Sequence, residues 1–76
     1  MKRYFFDVAT RMRVQYDYKG RELERPDQAR DMAELIALDI ECTDGSSAVG
    51  MEVQVRNVGG QKLFAIPIRD TELQAA

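Results

Sequence analysis

The sequence predicts an α+β fold: a ββαββ two-layer sandwich in which a four-stranded antiparallel sheet carries one helix packed on one face. Three observations lead there. Apolar residues alternate in the first and last thirds of the chain, they recur at helical spacing in the middle third, and glycine-bearing turn sequences separate the segments. At 76 residues the chain is expected to form a single domain, 1–76, with an ordered core over about 2–69 and a frayed tail at 71–76.

In the first segment Tyr4, Phe6 and Val8 alternate with Arg3, Phe5 and Asp7, the period of a half-buried strand. After Ala9-Thr10 the alternation resumes, with Met12, Val14 and Tyr16 against Arg11, Arg13, Gln15 and Asp17, so a second strand should pair with the first through a short hairpin. Asp17-Tyr18-Lys19-Gly20 reads as the turn that ends this strand, because glycine accepts positive φ without steric cost. Pro26 suits the first helical position, Asp27 complements the helix dipole, and Ala29, Met32, Ala33, Ile36, Ala37 and Ile40 trace one stripe. A helix over about residues 26–42 follows, stopping where Asp44-Gly45-Ser46-Ser47 breaks the period. Met51, Val53 and Val55 against Glu52, Gln54 and Arg56 predict a third strand, and Asn57-Val58-Gly59-Gly60 turns the chain into a fourth, about Lys62 to Ile68. Pro67 places that strand at an edge or ends it early, since proline donates no ladder bond. The expected core sets Tyr4, Phe6, Val14, Tyr16, Val53, Val55, Phe64, Ile66 and Ile68 against the helix stripe.

The residues that usually do chemistry are scarce. The chain contains no histidine, the commonest general acid–base. Gly45-Ser46-Ser47-Ala48-Val49-Gly50 is not a nucleophile elbow, because Val49 stands where that motif needs glycine and the segment follows a helix. Cys42 is the only cysteine, and a helix C-terminus beside Glu41 and Asp44 disfavours its thiolate. Asp39, Glu41 and Asp44 do not make a calcium loop, since Thr43 takes the fifth ligand place and Asp44 the glycine place. With neither a cysteine pair nor a phosphate-cradling glycine loop, the expectation is no enzyme, no cofactor, no metal and no small-molecule ligand. An enzyme using a burial-tuned Asp7 or Asp39 ranks third among the readings.

Location and partners follow from the same counts. No apolar run approaches a membrane span, and the apolar stretch of the first residues ends at Asp7, too short for a signal peptide. A lone cysteine fits a reducing compartment, so a cytoplasmic protein with no membrane partner is expected.

Charge is segregated along the chain. Residues 1–25 carry seven Lys/Arg against four Asp/Glu, residues 26–50 one against six, and residues 51–76 three against three. The predicted open sheet face displays Arg3, Phe5, Arg11, Arg13 and Arg56, with Gln54 and Arg69 nearby, a pattern able to stack on and neutralise single-stranded nucleic acid. A sequence pI near 5.0 and the missing RNA-recognition signature make nucleic acid the alternative reading. On the helix, Leu35, Leu38 and Cys42 fall at i, i+3 and i+7, outside the core stripe and beyond Asp39. Leu73 of the tail, a second subunit or another protein would cover them, or they stand exposed to water as scattered surface leucines do. The leading reading is therefore a non-enzymatic protein-interaction or small regulatory module, with a homodimer among its expected forms.

Several short motifs recur together: a start of the form M-x-R-Y-F-F-D, then Gly20-x-Glu22-Leu23, Ala29-Arg30 opening the helix, and Glu52-Val53-x-Val55-Arg56 before a glycine turn. Over about residues 2–68 this resembles a family of short uncharacterised bacterial proteins, frequent in rhizobia and their relatives, classed only as a domain of unknown function. The chain departs from it at Ala9-Thr10, where many members carry a polar, glycine-containing turn, and at Cys42-Thr43 after the helix. The resemblance implies a bacterial cytosolic origin and carries over neither an activity nor a site residue.

Overall fold

The computed structural model describes residues 1–44, 48 and 50–68. Its elements are β1 (Lys2–Ala9), β2 (Val14–Gln15), β3 (Arg21–Leu23), α1 (Pro26–Asp44), β4 (Glu52–Asn57) and β5 (Lys62–Pro67). All pairings are antiparallel. β1 lies between β4 and an edge position shared by β2 and β3, and β5 forms the opposite edge. The fold is the expected α+β sandwich, with four strand positions of which one is filled by two short strands.

The helix starts where its donors can be met. Pro26 brings no N–H, and the Gln28 side-chain oxygen accepts the N–H groups of Glu24 at 2.9 Å and Arg25 at 3.1 Å, reaching back as the third residue of a capping box does. Ala29, Ala33 and Ala37, four residues apart, are all buried; their small size lets the axis approach β4, where Val53 and Val55 are fully buried. Ile36, Ile40, Phe64 and Ile66 complete this layer with Tyr4, Phe6 and Ile68. The helix runs two residues past the expected end, to Asp44.

Two expected core residues lie elsewhere. Val14 pairs with Ala9 and Gln15 with Val8, so Val14, and with it Tyr16, belongs to the sheet face away from α1. The hairpin sets this phase. The Thr10 N–H donates to the Arg13 carbonyl at 2.8 Å and the Arg13 N–H to Thr10 Oγ1 at 3.1 Å, leaving Arg11 and Met12 at the tip. A one-residue change of register moves every side chain to the other face. Val14 is half-buried there and Tyr16 is exposed.

The expected turn at Asp17-Tyr18-Lys19-Gly20 is instead a bulge inside one edge strand. Val8 pairs with Gln15 and Tyr4 with Arg21, so residues 16–20 span what residues 5–7 span on β1, an excess of two. Gly20 makes this possible at φ +68°; a Cβ there would lie 2.8 Å from the Tyr4 carbonyl oxygen and 3.0 Å from Phe5 Cδ1.

At the other edge the Ile68 N–H donates to the Met51 carbonyl at 2.9 Å, which fixes the alternation along the β4–β5 register. Ile66 and Phe64 turn their peptide groups to β4, whereas Ala65 and Pro67 turn theirs outward. Pro67 thus takes no bond from the ladder, in keeping with its expected edge position. The tail 71–76 with Leu73, and Arg69, Gly45, Ser46, Ser47 and Val49, lie outside the described residues.

Replacing Gly20 by alanine should lower unfolding stability by about 1–3 kcal/mol, through left-handed strain and the clash with Tyr4. Gly59→Ala, at ordinary φ with only the Asn57 side chain 3.4 Å away, should change it by under about 0.5 kcal/mol. Urea titration of both variants against wild type measures the contrast.

Candidate functional site

On the sheet face away from α1, pairing brings Phe5 and Asp7 of β1 beside Arg56 and Gln54 of β4. This face is not open over its centre. Asp7 is only 2% exposed, and its Oδ2 accepts from Arg56 Nε at 2.6 Å while its Oδ1 accepts the Asp17 N–H at 2.8 Å. Arg56 Nη2 also donates to the Asp17 carbonyl at 3.1 Å. The Asp17 carboxylate accepts three backbone N–H groups, from Phe6 at 3.2 Å, Lys19 at 3.0 Å and Gly20 at 3.1 Å. A side chain thus gives Phe6 the acceptor that the bulge has taken from the ladder. The Arg56 guanidinium lies 4.6 Å from the centroid of Phe5 and 5.7 Å from that of Tyr16, a cation between two rings.

Ionisation follows this wiring. Desolvation opposes the charge on Asp17, but the N–H donors of Gly20, Phe6 and Lys19, with Arg56 nearby, outweigh it and hold the carboxyl below its ordinary value of 3.8. The hydrogen bond to Asp7 raises Arg56 further above its already high value, against desolvation. Both Asp7 oxygens are occupied, so the arrangement fastens the bulge to β4 and presents no carboxylate to a substrate. Among the described residues no three carboxylate or thiol groups converge as metal ligands.

The residues expected to form a nucleic-acid face are not gathered into one. Arg3 pairs with Glu22 at 3.3 Å and donates to the Lys19 carbonyl at 2.6 Å. Phe5 is half-buried beside Arg56, which is committed to Asp7. Arg11 and Arg13 flank Met12 at the hairpin tip, because the strand they were expected to occupy starts only at Val14. Asp17 and Tyr16 were missed as members of a network. The available signal was an aspartate three residues before a glycine, the pattern of a side chain that binds its own loop.

Leu35, Leu38 and Cys42 do lie together. Leu35 is 61% exposed and Leu38 50%, and Cys42 is an exposed, unpaired thiol. At 100° per residue they point away from the alanine stripe. Asp31 and Asp39 stand four residues either side of Leu35, and Glu34 four before Leu38, so the patch is ringed by carboxylates. Arg30, the one cation of α1, pairs with Glu34 at 3.7 Å, and the last turn carries no basic residue.

Fold and surfaces define a small two-layer α+β domain with an ion-paired sheet face and an acid-ringed apolar patch on its helix. The chain belongs to the family described as Domain of unknown function (DUF6894), which matches residues 3–69. No curated protein and no solved structure matches it. No helix among the described residues is long and apolar enough to cross a membrane.

Arg56→Ala leaves Asp7 buried without its counter-charge and should lower stability by about 3 kcal/mol in urea titration. Asp17, held below 3.8, contributes stability that is present above that value and lost as pH falls through its lower folded value. Wild type should therefore lose stability as pH falls below about 3.8, and Asp17→Asn should flatten that fall when thermal midpoints are compared across acid pH.

Proposed function

We propose that this chain is a non-enzymatic protein-interaction module of a bacterial cytosol and that it holds its partner on the outer face of α1. The observation that carries this reading is the pair of leucines, Leu35 and Leu38, at least half exposed within a ring of carboxylates on the side of the helix away from the sheet. Side chains with no role in the core tend to be polar, so adjacent exposed leucines extended by Cys42 suit a contact surface.

Electrostatics support the same face. Asp39, exposed beside the leucines, stands in the C-terminal half of a helix with no cation in its last turn, where the dipole disfavours acid. Carboxylates that do not help their own helix suit a partner bearing cations, which they would steer and orient. The sheet edges are poor acceptors of an added strand. β5 ends in Pro67, and the opposite edge is interrupted between β2 and β3. The nucleic-acid alternative draws less support because Arg3 and Arg56 are already paired within the chain.

A tagged chain passed through nuclease-treated bacterial lysate should retain a stoichiometric protein, and Leu38→Glu should cut its recovery at least about tenfold, some 1.4 kcal/mol. Equal recovery by the variant, with an unchanged circular dichroism spectrum, excludes the helix face as the site.

A further inference from the structure

Reading the α1 face as a docking surface raises the question of what fits it, and the opposite kind of surface exists on the same molecule. Among the described residues, Lys2, Arg11, Arg13, Lys19, Arg21 and Lys62 make no ion pair, whereas Arg3, Arg25, Arg30 and Arg56 do. Four of those six unpaired cations, Arg11, Arg13, Lys19 and Arg21, lie on the interrupted edge between residues 11 and 21. The one acidic side chain of that stretch, Asp17, is turned inward onto Phe6, Lys19 and Gly20.

The same edge carries large exposed side chains: Met12 is 94% exposed, Tyr18 86% and Tyr16 54%. Arg13, Tyr16 and Tyr18 share the wall of a shallow cleft of about 530 Å³. One molecule thus presents an apolar patch ringed by acid on its helix and an apolar, aromatic patch ringed by base on its sheet edge.

The geometry points to a head-to-tail contact between copies of this chain, in which Leu35 and Leu38 of one copy seat against Met12, Tyr16 and Tyr18 of the next. This rests on α1 being the docking face and names a second copy as its occupant. Charge selects the pairing. Helix against helix would oppose Asp31, Glu34 and Asp39 to themselves, and edge against edge would oppose Arg11, Arg13 and Lys19 to themselves. Helix against edge sets each acid ring over a basic one. Such a contact is heterologous, so it leaves one face of each kind unfilled and extends into rings or open chains. Being largely solvent-exposed and ionic, it should weaken as the Debye length shrinks from about 10 Å at 0.1 M salt to about 3 Å at 1 M.

Two half-blind variants test this: Leu35→Asp with Leu38→Asp removes the helix face, and Arg13→Glu with Tyr18→Asp removes the edge. In sedimentation velocity, wild type should grow in mass with concentration at low salt and shrink at high salt, while each folded variant stays a single chain. Mixed one to one, the variants should recover a two-chain species and stop there, because the two faces left over are the disabled ones: a helix face without its leucines and an edge without Arg13 and Tyr18. Recovery also proves both variants folded; circular dichroism establishes this independently.

A wild type that remains a single chain at millimolar concentration and low salt overturns the inference, as does a mixture of folded variants that stays unassociated. A monomeric wild type whose capture of another protein still needs Leu38 overturns the second copy and leaves the docking face standing. If wild type is monomeric and binds a labelled single-stranded oligonucleotide that the edge variant does not, the edge is a nucleic-acid surface and the inference falls.

Discussion

The ion pair between Asp7 and Arg56 joins residues 49 apart in sequence, and the far side of the sheet is organised around it. Asp7 lies in the middle of the longest strand, and burying its carboxylate is tolerable only with a cation and an N–H supplied at once. Arg56 comes from β4 and the N–H from Asp17 in the bulge, so the edge strand and the two central strands are tied through one side chain. Buried pairs of this kind contribute little net stability over apolar substitutes, yet breaking one is expensive. The pair is best understood as selecting the bulged register over competing ones, while Tyr4, Val53, Val55 and the alanines of α1 provide the apolar burial on the other face.

How far the fold could be read from the sequence depended on where each segment finds its hydrogen bonds. β1, β4, β5 and α1 satisfy most of their peptide groups backbone to backbone, so periods of two and 3.6 located them closely. The second strand does not complete its ladder with β1. The Phe6 N–H of β1 bonds instead to the side chain of Asp17, and no periodicity reports a bond of that type. The hairpin tip at Arg11-Met12 then shifted the face of Val14 and Tyr16 by one position, enough to invert their environment. The exposed grouping of Leu35, Leu38 and Cys42 was legible because helical spacing alone sets it. The commitment of Arg3 and Arg56 to carboxylates was not, since it depends on cross-strand register and on a bulge.

Two surfaces of the described residues break local rules. Acidic residues sit towards the C-terminal half of α1 without cations, and Met12 and Tyr18 stand in water beside unpaired cations on the edge. Neither arrangement helps the isolated chain. Residues that conflict with the fold's own preferences are where contacts with other molecules are expected.

The outward set of peptide groups on β5 bears on survival in a crowded cell. Over its last residues that edge offers the N–H of Ala65 and none from Pro67, so an incoming strand meets a gap after a single donor. Templated growth into cross-β fibrils needs an uninterrupted row of donors and acceptors. A chain rich in alternating apolar residues therefore carries, in one proline, a stop against stacking on its own kind during synthesis and refolding, and does so at a position where its native ladder loses nothing.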